Sequence, residues 1–370
     1  MFDRRLFHYF DWINFSLTIA LLAIGLLFVF SSTYTLQIPI SIFFKKQIVG
    51  MASGIFIYFL ASFINLKTLC RWGYFWYYPL LILLLYTVIG GWIGMGAKRW
   101  ISLYFFRIQP SELTKLLMPA FVAYYLSEQK YISEYHKLHP PLKYFLVPLT
   151  TIGISFLFIL KQPDLGTSLI VLFSGFIMLW LANLNKKFFI ISGLCFLLFA
   201  PIGWKILKPY QQQRILVLLG QGDNKKERYQ IEQSKIAIGS GGLCGKGLLK
   251  GTQNKLSFLP EDHTDFIFSV ICEEWGFWGA FIVLLLFSLL FVRLIFITLH
   301  TPYFIEKIIS IGLIAHIMLS VCINIGMVIG IFPIVGIPLP LLSYGLCNLW
   351  VTCASLGILN NIAIRRYYYS

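Results

Sequence analysis

Charge is what this sequence has least of. Only 12% of its 370 residues are charged, against about 25% in a soluble domain. Acids are the scarcer sign, with 15 Asp and Glu against 30 Lys and Arg. The net charge of +15 is scattered through loops, with no soluble basic module, which argues against nucleic-acid binding. Topology control and contact with membrane lipids explain it more simply. No Cys-x-x-Cys occurs. Cys70, Cys195, Cys244, Cys272, Cys322, Cys347 and Cys353 are mostly isolated in or beside apolar runs, and read as small core residues. No second His or carboxylate stands at a zinc-ligand spacing from His263, so it reads as a hydrogen-bonding neighbour. There is no convincing internal repeat and no low-complexity tract. The first apolar run lacks a small-residue cleavage site and reads as a retained helix.

Apolar residues are what is there: 58% of the chain, with mean hydropathy +0.78. The runs are about 20 residues long, which suits spanning helices and not barrel strands. The fold expected is an all-α integral membrane protein, one membrane domain over 1–370. Ten spans are expected, near 13–31, 45–64, 73–92, 111–127, 142–160, 167–184, 188–204, 266–298, 305–332 and 343–364. A large extracytoplasmic loop, 205–264, separates spans 7 and 8. The eighth span is too long for one crossing and is expected to begin as an interfacial or loop-lying helix.

With both termini cytoplasmic, the inner loops hold Arg4, Arg5, Lys67, Arg71, Lys130, Lys137, Lys143, Lys186, Lys187, Lys307, Arg365 and Arg366. That is a positive-inside pattern. The basic residues Lys98, Arg99, Arg107 and Lys161 fall in short outer stretches against the rule, and something anionic outside would justify them. Loop 205–264 carries ten Lys or Arg and five acids, but long loops escape the rule. It is too long for a mere connection. Within it, Glu227–Ile238 reads as a helix that stops at Gly239-Ser-Gly-Gly.

Ionisable groups at or inside a membrane segment are functional candidates by default. His263-Thr-Asp265 stands at the mouth of span 8, with Glu273 and Glu274 about two helical turns on. A lone Asp there reads either as a helix cap or as a reacting carboxylate. Gln109-Pro-Ser-Glu-Leu-Thr-Lys115 starts span 4. Glu112 and Lys115 share a helix face, as a structural pair or as the lining of a polar site beneath Lys98 and Arg99. Trp100 reads as an interfacial anchor or as a surface for sugar or lipid. Lys161-Gln-Pro-Asp164 starts span 6; Asp164 either meets the helix dipole or joins the same outer site. Gly239-Ser-Gly-Gly-Leu-Cys-Gly-Lys-Gly247 fails the P-loop pattern. It reads as a tight turn or a backbone cradle for phosphate. Pro333–Gly345, rich in Pro and Gly, reads as a re-entrant or loop segment bounding the site.

Seven motifs in order resemble the SEDS family (shape, elongation, division, sporulation) of multi-pass peptidoglycan polymerases. They are Lys98-Arg-Trp, Gln109-Pro-Ser-Glu, Gln162-Pro-Asp-Leu-Gly-Thr, Leu259-Pro, His263-Thr-Asp-Phe-Ile-Phe, Glu273-Glu-Trp-Gly and Pro338-Leu-Pro-Leu-Leu-Ser-Tyr-Gly. The resemblance runs essentially end to end. Asp11-Trp12 and the stretch Ile236–Gly247 look more like elongation members than division members. One departure stands out: Leu346-Cys-Asn348 replaces the family's usual Gly-Ser-Ser, which narrows the start of span 10.

The resemblance implies a bacterial plasma-membrane glycosyltransferase that joins lipid II disaccharides on the outer face during elongation. Asp265 would be the base on the acceptor hydroxyl. Lys98, Arg99 and Lys115, with Glu112 orienting Lys115, or a divalent cation such as Mg or Mn, would stabilise the departing lipid diphosphate. Asp164 would stand behind these residues or partner the metal, and Trp100 and His263 would line the site. The donor is α-linked and the product β-linked, so the transfer would invert. Implied partners are lipid II, a class B penicillin-binding protein transpeptidase, elongation-complex proteins and membrane lipids. The alternatives are a lipid II flippase, the division-specific paralogue, and a scaffold that only recruits a transpeptidase.

Overall fold

The structure is a computed structural model. It describes residues 9–37, 39–94, 97–103, 106–129, 140–206, 209–218, 225–255, 258 and 260–368. Arg4, Arg5, Lys130 and Lys137 of the topology reading, and Leu259 of the Leu259-Pro motif, lie outside them.

The first three helices are α1 (Trp12–Thr33), α2 (Ile42–Phe63) and α3 (Leu66–Gly90). Each starts on a polar cap. Asp11 accepts from the Ile13 and Asn14 amides, Ser41 from Phe44, and Asn65 from Lys67. Next comes a small antiparallel sheet, β1 (Trp92–Gly94), β2 (Ala97–Leu103) and β3 (Phe106–Ile108), with Trp92 opposite Trp100 and Ile101 opposite Ile108. The helical reading did not anticipate this hairpin. Lys98 to Leu103 does not alternate polar and apolar residues, so the stretch carries no period-2 signal.

The chain continues through α4 (Pro110–Glu128), α5 (Leu146–Lys161), α6 (Leu165–Leu181) and α7 (Lys186–Ile206). Three helices lie within the expected large loop: α8 (Pro209–Leu218), α9 (Lys225–Gly241) and the single turn α10 (Thr252–Lys255). The last three are α11 (Ile267–Leu299), α12 (Phe304–Ile329) and α13 (Leu346–Tyr368). All ten expected spans are helices. Among the described residues seven helical segments are long and apolar enough to cross a membrane, α5 together with the turn Leu142–Phe145 before it, and α6 is a shorter apolar helix. In α4, Ser111, Glu112, Thr114 and Lys115 dilute the apolar run.

Burial separates centre from rim. In α13, 89% of the apolar window is inside the protein, against 28% in α3 and α11, which puts α13 at the centre. Helix α4 packs between α3, α12 and α6. Helix α13 lies along α2, where Gly50 and Gly54 leave room for Leu346, Leu349 and Cys353. A Cβ at Gly50 would run into the Leu346 side chain, so the bulk of Leu346 is taken up on α2. The core role expected of the cysteines holds for Cys70, Cys272 and Cys353. Cys195, Cys244 and Cys322 are exposed instead, because their apolar helix or loop faces turn outward.

The eighth span is broken as its length requires, and its first part lies buried against a helix of the long loop. At Gly276 (φ 66°, ψ −155°) the helix divides into Ile267–Trp275 and a longer second part. From Ile267 to Glu274 every residue is buried, packed against α9. The break is stitched to the glycine-rich segment. An intact helix would pair the Phe277 and Trp278 amides with the carbonyls of Glu273 and Glu274. Here those carbonyls accept from Lys246 (3.0 Å) and Gly247 (2.9 Å), while Phe277 donates to Gly242 (2.9 Å). The amides of Lys246 and Gly247 are thereby committed to the helix, which decides for the tight-turn reading over the phosphate cradle.

Glu273 and Glu274 secure the same joint. Glu273 accepts from Lys246 Nζ (2.6 Å), the Thr252 amide (2.8 Å) and the Gln253 amide (3.2 Å), so it caps α10. Glu274 accepts from Ser31 Oγ of α1 at 2.6 Å. Gly276→Ala should lower the melting temperature by several degrees. An L-residue at this φ is strained by about 1–3 kcal/mol, and the new Cβ would collide with the Gly245 amide. Gly239→Ala, inside α9 with open space around it, should not lower melting in the same thermal scan.

Candidate functional site

The expected site residues gather at the end of the bundle where α4, α6 and α11 begin. Asp164 is the cap of α6, accepting from the Thr167 amide at 3.1 Å. Its other oxygen accepts from Gln109 Nε2 (2.8 Å) and Ser111 Oγ (3.4 Å), and lies 4.0 Å from the Arg99 guanidinium. Asp164 thus caps a helix and ties the start of α4 to the hairpin. Trp100 is half-buried at the next register position, on the opposite face of β2 from Arg99. Lys98 is in β2; its side chain lies outside what the structure describes. Lys161 ends α5 and is exposed.

One turn into α4, Glu112 and Lys115 pair at 2.7 Å with both side chains buried. Asn348 Nδ2 donates to Glu112 at 3.3 Å. The residue that departs from the family's usual serine thus joins this pair. Glu112 pairs with Lys115, so the ammonium charge is answered inside the protein.

Asp265 closes a turn in which the amides of Thr264, Asp265 and Phe266 all converge on the Glu261 carbonyl. The cap reading fails. The N-cap of α11 is Phe266, and no side chain caps that helix. Among the described residues, nothing donates a hydrogen bond to the Asp265 carboxylate. Burial pushes its carboxyl up to about 6, and Glu261 adds to the rise, while Arg99, Arg214 and His263 pull it down. The group is therefore poised between acid and base near neutral pH. His263 turns its Nδ1 to Asp262 (3.1 Å) and its ring to Phe43 and Tyr344, with centroids 4.7 and 5.8 Å away.

Arg214 is the residue that sequence reasoning missed. It comes from α8 and lies with Gln211 and Ile215 against Leu165, Pro333 and Val335. A basic residue in a long basic loop carries no local signal; only the fold brings it to Asp265. The acids Glu273 and Glu274, singled out from sequence, are structural clamps. Among the described residues no group of three His, Cys, Asp or Glu comes together to hold a metal. The charges of Arg99 and Arg214 are felt at the Asp265 carboxyl and oppose a cation there, and the carboxylate of Asp164 is already filled with donors. These residues do not fit a built divalent-metal site.

These features define a class: a multi-span helical membrane protein with a charged site at one end of its bundle. Residues 12–368 match the family model for FtsW, RodA and SpoVE, described as cell cycle protein. The peptidoglycan glycosyltransferase MrdB of Escherichia coli (strain K12) is 39% identical, covering 87% of this chain and 86% of the relative. Stage V sporulation protein E of Bacillus subtilis (strain 168) is 36% identical over 94% and 95%. The crystal structure of Thermus thermophilus rod shape determining protein RodA superposes with a TM-score of 0.70 at 26% identity, covering 97% and 98%. A chain from a peptidoglycan synthase complex, solved for its coordination of polymerization and crosslinking, superposes at 0.79 with 28% identity over the same shares. The chain belongs to the FtsW/RodA/SpoVE family, the SEDS proteins.

Lys115→Met should strand Glu112 and destabilise the protein by about 3–5 kcal/mol, the usual effect of breaking a buried pair. The double variant Glu112→Gln with Lys115→Met should recover much of that loss. Thermal unfolding in detergent of the two singles and the double checks it.

Proposed function

We infer that this chain is a peptidoglycan glycosyltransferase that polymerises lipid II during cell elongation. The observation that carries the reading is the Asp265 carboxylate: it accepts no hydrogen bond among the described residues, burial raises it, and the charges of Arg99 and Arg214 pull it down. Asp265 takes the proton from the acceptor 4-hydroxyl. The freed oxygen forms a bond to C1 of the donor sugar. The bond from C1 to the phosphate oxygen breaks with inversion, and the electron pair leaves on the lipid diphosphate. Arg99 and Arg214 hold that growing charge as fixed cations. Asp164 holds Arg99 in place, and Glu112 with Lys115 forms the floor of the substrate site. Lys98, Trp100 and His263 line it. No step is assigned to Mg or Mn.

Positive-inside loops support a bacterial plasma-membrane protein with both termini in the cytoplasm and Asp265 outside. The family's resemblance to polymerases that work with a crosslinking enzyme supports a class B penicillin-binding protein as partner, with 205–264 as the contact surface.

The test is glycan synthesis from labelled lipid II by the chain with its cognate transpeptidase. Wild type should make polymer; Asp265→Ala and Asp265→Asn should not, in complexes that assemble equally. Equal synthesis by all three would remove Asp265 from the chemistry. No synthesis by any, from intact complexes, would favour the flippase or scaffold reading.

The same assay has a pH dependence of known sign. A base is lost as it protonates, so kcat/KM should fall as pH drops through about 6, where the Asp265 carboxyl titrates. Arg214→Gln removes a cation that holds this group down, so the midpoint should move to higher pH.

A further inference from the structure

Asn324 is fully buried in α12 and is not part of the site described above. Its Nδ2 donates to two backbone carbonyls. One belongs to Asp265, at 2.9 Å; the other belongs to Ile337 in the Pro-rich segment, at 2.7 Å. Its own Oδ1 is buried and has no hydrogen-bond partner. A buried unpaired acceptor is unfavourable, and packing alone would be better served by an apolar side chain. Both donors of this amide go to a single end. They join the turn that carries Asp265 to the segment that lies beneath it.

That segment is irregular yet held on every side. Gly336, at φ 69°, runs beneath the Asp265 carboxylate, whose Oδ2 would sit only 3.6 Å from a Cβ there. The Tyr344 amide donates to the His263 carbonyl at 2.9 Å. Ser343 Oγ accepts from the Leu339 amide at 2.8 Å, and the Ser343 carbonyl accepts from Gln47 of α2 at 3.4 Å. The backbone on both sides of the Asp265 turn is therefore fixed. Asn324 is the side chain that pins the peptide of Asp265 itself. With that carbonyl held, the carboxylate stays over Gly336 and does not fold onto the first-turn amides of α11.

We propose that Asn324 is a positioning residue for the reaction, aiming the Asp265 carboxylate through its hydrogen bonds to the Asp265 and Ile337 carbonyls. The proposal rests on Asp265 being the base. Removing the amide lets the Asp265 turn drift from the Pro-rich segment. A base misplaced by about 1 Å loses about a hundredfold in rate while substrate binding is untouched.

The experiment measures kcat and KM for lipid II, and the melting temperature, in the assembled complex with the transpeptidase. The variants are Asn324→Leu, Asn324→Asp and Asp265→Ala. The expected result for Asn324→Leu is a fall in kcat of about ten- to a hundredfold with KM and melting nearly unchanged. Asn324→Asp keeps the shape but, when ionised, sets a carboxylate against two carbonyls. Protonation returns one donor, so its activity relative to wild type should rise as pH falls. If Asn324→Leu does not accumulate, that pH ratio carries the test.

Wild-type kcat in both Asn324 variants, with Asp265→Ala inactive, would overturn the positioning role and leave the base in place. A raised KM together with a lowered melting temperature would also overturn it, marking Asn324 as a packing residue. An active Asp265→Ala would remove the base, and the proposal with it.

Discussion

A helix that breaks where water is scarce must find new partners for the backbone groups it frees. In this protein that requirement falls at Gly276. The carbonyls of Glu273 and Glu274 lose their partners in α11, and the glycine-rich segment after α9 replaces them, residue for residue. The exchange needs close backbone approach, which is why Gly245 and Gly276 stand opposite each other with positive φ. The two glutamates then bind that segment, α10 and α1 into the same joint. A buried charge is tolerable when it is paired and hydrogen-bonded, and Glu273 is both. The start of α11, and so the turn that carries Asp265, is built on this joint.

The charged end of the bundle is made from elements far apart in sequence. Arg99 comes from a small hairpin, Arg214 from a helix in the long loop, Asp164 from the cap of α6 and Asp265 from the turn before α11. Their roles differ because their surroundings differ. Asp164 is filled with donors and serves as a strut. Asp265 has cations nearby but no donor in hydrogen-bond contact among the described residues, and burial raises its carboxyl toward neutrality. A carboxylate in that condition can move a proton; a strut cannot. Glu112 and Lys115, deeper in the bundle, satisfy each other and hold α4 to α13 through Asn348.

At the start of α13 both unusual side chains find partners. Leu346 settles over Gly50, and Asn348 turns a polar group to Glu112. The bulk of Leu346 is thus taken up on α2.

Periodicity, length and loop charge were enough to place ten helices and to mark most of the residues that meet at the site. These are local properties: a 20-residue apolar run has few other stable forms in a bilayer, and a charge beside it needs a reason. The helix that ends at Gly241, and the glycine turn after it, were legible for the same cause. What each marked residue does was not. Asp265 could have been a cap until the fold showed α11 uncapped. Glu273 and Glu274 looked as interesting as Asp265 until their partners were known. Arg214 and Asn324 had no local mark at all, because a loop arginine and a helical asparagine gain meaning only from what lies across from them. The order of residues dictates the helices and the supply of polar groups. Which of those groups are paired, buried or left open is settled in three dimensions, since pairing and burial depend on neighbours that the chain brings together only when it folds.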